Sequence, residues 1–473
     1  MTEIIYDVAI IGGGPAGYTA AIRAGQLGLK VALIDKSTKL GGTCLHWGCI
    51  PTKAILFNAE IWEHIEDAAK FGVSGLGTPT LDWAAVLKRK DEIITKHTKG
   101  LDFLMKKNKV TVVNGTGRLT GAAKGGIHSV EVTGPEGSKS TLAAKNILLA
   151  TGSEAKTIFD LKPDATILTN IEILSIPAVP KSLIVIGAGA VGVEFASIFK
   201  SFGTEVTILE FLPRMVPVED EEISKELTRL FKKRGIDVNT GAKVEKIEKT
   251  AAGVQVSYTD ANGNAQSKEA EKVLIAVGRS PRTAELGLEK TKIKLDRGFV
   301  PVNEAQETAE PGIYAIGDIV AGLPQLAHVG AMSGIVAVTK IAGRKFKPVR
   351  KNRIPGCTYS EPQIGSVGLT EAQAKEQGLE YKVGKFPFAG NSKATIVNNH
   401  DGFVKIVADK KYGEILGVHI IGPQATELIS EAVVAMELEA TIDELMFTIH
   451  AHPTLAEAML DAYAAVDGMA INA

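Results

Sequence analysis

The hydrophobic pattern of the chain changes period several times, and the changes mark its elements. Tyr6–Ile11 (YDVAII) is a short β-branched run, which predicts a buried strand. It ends in GGGPAG, and a helical stretch (AGYTAAIRAGQLG) and a second strand (KVALID) follow. The same order recurs later as SLIVI (182–186), GAGAVG, VGVEFASIFKSFG and EVTILE. Three more apolar runs end in small-residue turns: NILLATGS (146–153), KVLIAVGRS (272–280) and GIYAIGD (312–318). Pro-Val-Arg-Lys-Asn at 348–352 reads as a hinge. Beyond it, alternating FVKIVADKKYGEILGVHIIG gives way to helical ELISEAVVAMELEA. The pattern predicts an α/β protein with two Rossmann-like dinucleotide-binding domains and a C-terminal α+β domain carrying an antiparallel sheet. The expected segments are 1–150, 151–279, 280–350 and 351–473.

The repeat carries the chemistry. Gly12, Gly14 and Gly17 match Gly-x-Gly-x-x-Gly, as do Gly187, Gly189 and Gly192. Each second strand ends in an acid, Asp35 or Glu210, 23 residues after the first glycine of its motif. The first glycine makes the tight turn, and the second lets backbone amides approach a pyrophosphate. The third lets helix pack on strand, and the acid accepts a ribose hydroxyl proton. One such motif is weak; two with matching flanks predict two bound dinucleotides. Glu210 would repel a 2′-phosphate, so the second site favours NAD over NADP. Arg214 is nearby but follows Pro213 out of phase for a phosphate clamp.

Composition narrows the partners. At about 150 residues per domain, 473 residues make about three domains. Lys and Arg number 53 against 54 Asp and Glu, which argues against nucleic acid or an anionic membrane as the main partner. The N terminus has no basic region before its apolar run. Ser182–Phe199, the most membrane-like stretch, contains three glycines and Glu194, and reads better as strand, turn and helix. Only three cysteines are present, which points to a reducing compartment and a cytoplasmic protein.

Two of the three, Cys44 and Cys49, fall in GGTCLHWGCIPTK. Neither zinc-ligand spacing nor Cys-x-x-Cys fits them. A structural bridge suits a large-cored intracellular chain poorly, whereas a redox-active pair near a helix N terminus suits it well. A local turn would let the thiols meet; a regular helix would point them apart. Cys357, in PGCTYSEPQIG, reads as a packing residue.

GGTCLHWGCIPTK, the two glycine motifs, AIGD and the terminal HAHPTLAE together resemble the flavoprotein disulfide reductases, over nearly the whole chain. Within that family the sequence is most similar to the dihydrolipoamide-oxidising members. The resemblance implies that Gly12, Gly14, Gly17 and Asp35 bind FAD, with Lys53, Gly117, Asp318 and Ala327 contributing. It implies that Gly187, Gly189, Gly192, Glu210 and Gly278 bind NAD, with Val244 beside the adenine. Segment 280–350 would return to the FAD domain, and 351–473 would form the dimerisation domain. Cys44 would exchange with substrate, Cys49 would lie against the flavin, and Lys53 would pair with Glu194. His452 would be the acid–base group, oriented by Glu457. The implied reaction oxidises dihydrolipoamide with NAD⁺. The implied partners are the lipoyl-bearing acyltransferase component of a 2-oxoacid dehydrogenase or glycine cleavage complex, and a second copy of the chain. Apolar helical stretches near the C terminus (ELISEAVVAMELEA, AEAMLDAYAAV) would need covering by that copy. Trp47, Met332 and Ser333 depart from residues common in the family. Glutathione-, trypanothione- or mercuric-reductase-like activity is the rival within the family. A flavin-binding redox sensor is the rival outside it, and retention of Cys44, Cys49, His452 and Glu457 argues against it.

Overall fold

The computed structural model describes residues 4–472. The chain divides into two compact units, each assembled from three stretches: 1–54, 85–156 and 279–349 in the first, and 55–84, 157–278 and 350–473 in the second.

In the first unit, the strand Ile5–Ile11 lies between Val31–Asp35 and Lys139–Leu149, parallel to both. Val8, Ala9 and Ile10 are fully buried, as a strand covered on both faces requires. Thr111–Asn114 extends one edge in parallel, and Ile313–Ala315 pairs in parallel with Lys139–Leu149. The segment after residue 279 thus returns to this sheet. His128–Thr133 and Thr116–Leu119 add antiparallel strands at the other side. The helix Ala327–Ile341 packs on the helix Pro15–Gln26 through glycines. A Cβ on Gly334 would stand 2.9 Å from the Ala16 carbonyl oxygen, and one on Gly330 would stand 3.1 Å from the Ala16 Cβ. Only a side chain of hydrogen permits that approach.

The second unit repeats the plan. Asp237–Thr240, Glu205–Glu210, Ser182–Ile186, Lys272–Ile275 and Ile167–Leu168 form a parallel five-stranded sheet. A three-stranded antiparallel sheet, Lys243–Thr250, Gly253–Thr259 and Ala265–Ala270, is added to it in sequence. The stretch 55–84 is held here by Trp83, whose ring packs against Phe199 and Phe202 and whose indole N–H donates to the Ile176 carbonyl at 2.9 Å. Ser201 donates to Glu63 at 2.7 Å, and Arg234 forms an ion pair with the same carboxylate.

The C-terminal stretch forms an all-antiparallel sheet in the order Gly356–Thr358, Gln363–Gly368, Ile415–Gly422, Phe403–Asp409, Tyr381–Pro387. The helices Ala425–Glu437 and Glu457–Ala465 spend most of their apolar residues within this unit: Ile429, Ala432, Met436, Met459, Ala462 and Tyr463 are buried. The apolar surface left exposed is therefore smaller than the sequence suggests. It consists chiefly of Val434, Leu438, Phe447 and Ile449. Among the described residues, no helix is long and apolar enough to cross a membrane.

Candidate active site

The two glycine motifs fold alike, bond for bond. Gly12 accepts its turn at φ 112° and donates to the Ile34 carbonyl; Gly187 does so at φ 99° and donates to Leu209. A Cβ on Gly17 would stand 1.8 Å from the Gly12 carbonyl oxygen, and one on Gly192 would stand 1.9 Å from that of Gly187. The third glycine is thus required by the strand–helix approach in both copies. The helices Pro15–Gln26 and Ala190–Ser201 begin at Gly14 and Gly189, and neither has a side-chain cap. Their first-turn amides are free of side-chain competition and positively polarised, as a pyrophosphate needs. A Cβ on Gly189 would meet nothing within 4 Å, so the approach there is open.

The terminal acids brace these loops. Asp35 accepts from the Gly13 amide at 2.5 Å and from Ser37 at 2.7 Å. Glu210, only 7% exposed, accepts from Ala188 at 2.5 Å and Leu212 at 2.7 Å. Each carboxylate oxygen keeps lone pairs for a ribose hydroxyl. Arg214 is committed elsewhere: its guanidinium donates to the carbonyls of Pro217 (2.8 Å) and Glu219 (3.0 Å). Glu210→Ala should therefore lower NAD⁺ use about tenfold and raise the NADP⁺/NAD⁺ ratio, since one ionic repulsion of roughly 1–2 kcal/mol disappears. Steady-state kcat/KM with both nucleotides checks this; a wild-type preference for NADP⁺ would contradict it.

Why the cysteines lie between glycines and a proline is now physical. Gly41 (φ 128°) donates its N–H to the Gly13 carbonyl at 2.9 Å. A Cβ on Gly42 (φ 57°) would stand 2.7 Å from the Gly14 Cα. The paired glycines therefore press the cysteine segment directly onto the first dinucleotide loop. Cys44 lies in the short helix Gly42–Trp47, and Cys49 opens the helix Cys49–Glu66, with Gly48 breaking between them. A short helix and the start of a long one, meeting at Gly48 rather than at the turn inferred from sequence, bring the sulfurs together. Pro51 occupies the first turn of the second helix, where its missing N–H costs nothing.

Both cysteines stand as thiols in mutual hydrogen-bond contact. That bond, then burial, pushes the Cys44 thiol well up, so Cys44 keeps its proton and Cys49 accepts it.

Three neighbours of the pair carry no motif in the sequence. Tyr18, on the helix after the first glycine loop, is half-buried, and burial followed by the charges of Cys44 and Cys49 raises its hydroxyl pKa. Arg279 donates to the Ser153 hydroxyl at 2.7 Å and the Ser153 carbonyl at 2.9 Å. Ser153 in turn donates to Asp318 at 2.5 Å. Burial lowers the Arg279 pKa, and the charges of Asp318 and Cys49 oppose that shift. A hydrogen-bonded chain thus runs from Asp318 through Ser153 to Arg279, whose charge is felt by Cys49.

Of the remaining residues inferred from sequence in this unit, Gly117 is buried in its strand, where a Cβ would stand 3.2 Å from Ile11. Ala327 opens the helix Ala327–Ile341. Lys53 is one turn beyond Cys49. Of the departures, Trp47 is exposed beside the His46 ring and Met332 is exposed. Ser333 is fully buried, accepting from the Gly317 amide and donating to the Gly330 carbonyl.

In the second unit, Glu194 is 5% exposed and accepts the Tyr359 amide at 2.9 Å. Val244 is partly buried at a bulge of the three-stranded sheet, and Gly278 takes φ 112° with open space at its Cβ position. His452 projects into solvent, its side chain 71% exposed, with Nδ1 at 2.9 Å from Glu457 Oε1. An ionised carboxylate only accepts, so Nδ1 carries the proton and Nε2 is the free base. Glu457 is held below the usual carboxylate range by the Thr454 amide (2.8 Å) and by His452.

Residues 6–334 match the family model described as pyridine nucleotide-disulphide oxidoreductase, and 354–463 match that family's dimerisation domain. The chain belongs to this family. As a member of the pyridine nucleotide-disulphide oxidoreductases, it is an enzyme that uses FAD and NAD. It is 44% identical to a dihydrolipoyl dehydrogenase of Rhizobium etli and 45% identical to that of Bacillus subtilis, each alignment covering 99% of both chains. The mitochondrial dihydrolipoyl dehydrogenase of Pisum sativum is 40% identical over 96% of this chain and 90% of its own. The crystal structure of LpdA from Mycobacterium tuberculosis superposes with a TM-score of 0.88 at 28% identity, over 96% of this chain and 98% of that one.

Proposed function

We propose that this oxidoreductase is a dihydrolipoyl dehydrogenase, oxidising dihydrolipoyl groups with NAD⁺ as a homodimer. The observation that carries the reading is the thiol pair pressed onto the first dinucleotide loop by Gly41 and Gly42. The first unit supplies the FAD contacts (Gly12, Gly14, Gly17, Asp35, Lys53, Gly117, Asp318, Ala327), mainly from 1–150 and 280–350. Segment 151–279 supplies those for NAD (Gly187, Gly189, Gly192, Glu210, Val244, Gly278), and 351–473 joins the subunits. The physiological partner is the lipoyl-bearing acyltransferase of a 2-oxoacid dehydrogenase complex.

The chain's own groups divide the labour. In the oxidised protein Cys44 and Cys49 form a disulfide. His452 Nε2 takes a proton from one substrate thiol, and the thiolate attacks Cys44 Sγ, expelling Cys49 as a thiolate. The second substrate thiol attacks the first substrate sulfur and expels Cys44, which takes up that thiol's proton and leaves as a thiol. Substrate leaves as a cyclic disulfide, and two electrons remain on the cysteine pair. Glu457 holds the His452 tautomer and stabilises the imidazolium. Lys53 and Glu194 complete the set. FAD, when bound, supplies the two-electron relay to NAD⁺.

An assay of the FAD-loaded protein with dihydrolipoamide and NAD⁺ tests the reading. NADH formation is expected. Turnover of glutathione disulfide with NADPH, without NADH formation from dihydrolipoamide, would overturn it.

A further inference from the structure

Both glycine loops are closed from behind by the same bond. In the first copy the central residue, Gly13, gives its amide to Asp35, and its carbonyl accepts from Gly41, six residues after that acid. In the second copy Ala188 gives its amide to Glu210, and its carbonyl accepts from Val216 at 2.8 Å, again six residues after the acid. The closing residue has positive φ in both. Gly41 takes 128° freely, whereas Val216 takes 39°, a conformation that a β-branched side chain resists. Such a residue stays there only if its surroundings hold it.

Arg214 does the holding. Its guanidinium donates to the Pro217 carbonyl at 2.8 Å and to the Glu219 carbonyl at 3.0 Å, just beyond Val216. It also reaches the Ser224 hydroxyl at 3.4 Å, and Ser224 donates to the Val216 carbonyl at 3.3 Å. The Glu219 amide donates to that same carbonyl at 2.9 Å. Met215 and Val216 are buried, and the next acid, Asp220, is tied to the buried Lys405 at 3.0 Å. The planar fork of an arginine spans two carbonyls at once; a lysine ammonium is a single point.

We propose that Arg214 is a positioning residue for NAD, locking segment 211–219 in the strained turn whose Val216 amide fixes the Ala188 carbonyl and with it the second glycine loop. The inference rests on the reading of that loop as the NAD site. The Ala188 carbonyl and the Gly189 amide belong to one planar peptide unit, so fixing the carbonyl aims the amide that a pyrophosphate would meet. Glu210 fixes the preceding peptide through the Ala188 amide. Without Arg214 the turn relaxes, and the loop holds its receptive shape for only a fraction of the time. Apparent affinity falls by that fraction.

The test uses the FAD-loaded protein. In Arg214→Met the KM for NAD⁺ should rise about tenfold while kcat changes less than about threefold. Calorimetric Kd for NAD⁺ should weaken by the same factor, whatever the dithiol substrate. Flavin reduction by dihydrolipoamide without nucleotide should be unchanged; slowing by the same factor would mark a general structural role and overturn the proposal. Arg214→Lys keeps the charge but not the fork, so its Kd should also weaken. A wild-type Kd in Arg214→Lys would show that charge alone suffices and would overturn the proposal, and this variant decides if Arg214→Met does not load FAD. An unmoved Kd in Arg214→Met beside a weakened one in Glu210→Ala would overturn the role of Arg214 and leave the NAD site in place. A Kd unmoved in both would overturn the placing of NAD, and the inference with it.

Discussion

Cys49→Ser is expected to lose dihydrolipoamide oxidation by at least about 10³-fold, the scale on which removal of a covalent participant is felt. No other sulfur can close the disulfide with Cys44, since Cys357 is packed against the core of the C-terminal sheet with its thiol directed to the Thr426 carbonyl. Cys44→Ser should be equally inactive with the dithiol, for want of an atom for substrate to attack. Both variants should still oxidise NADH with a small one-electron dye, because both nucleotide loops are untouched. A matched dithiol and dye assay separates this from misfolding. Dithiol oxidation surviving in either variant would remove the pair from the reaction.

His452→Gln is expected to cost about 10²–10⁴-fold in kcat/KM, the usual share of a positioned base. The loss should be greatest near neutral pH and shrink as the pH rises toward the substrate thiol's own pKa, where the thiolate forms unaided. Glu457→Gln should lose less, because Nε2 remains a base while its orientation and the stabilisation of its cation weaken. A variant His452→Gln with wild-type activity at neutral pH would assign the base elsewhere.

The parts legible in the sequence are those where one local stretch does the whole job. A β-branched run, three spaced glycines, a helix and an acid specify a dinucleotide loop by themselves, and both copies form the same bonds from Gly12 to Asp35 and from Gly187 to Glu210. The His452–Glu457 contact, which the family resemblance implies, is local too, since five residues separate its members. The Ser153–Arg279–Asp318 chain was not legible, because two strand ends and a short helical turn, 165 residues apart at their extremes, have to converge before it exists. Tyr18 was hidden by its setting in an ordinary amphipathic helix. The exchange of residues 55–84 into the second unit was hidden too. The helix Cys49–Glu66 runs on without a break where the chain changes units, so nothing in the pattern punctuates the change. The C-terminal helices read as unpaired apolar surface because the sheet that buries them lies at a distance in the sequence; Val434, Leu438, Phe447 and Ile449 are among the apolar residues that stay exposed.

That second copy is where the account is most exposed to test. If Cys44 and Cys49 of one subunit work with the partner subunit's His452, two dead proteins can make a live one. Cys49→Ser and His452→Gln subunits, differently tagged and reassembled with FAD, give a mixed dimer in which one site receives both lesions and the other receives none. Purified through both tags, that dimer should show about half the wild-type rate, and an unsorted mixture should have roughly one quarter of all sites active. Subunits that each build their own site could restore nothing by pairing, so a doubly tagged dimer without dihydrolipoamide oxidation would contradict the account.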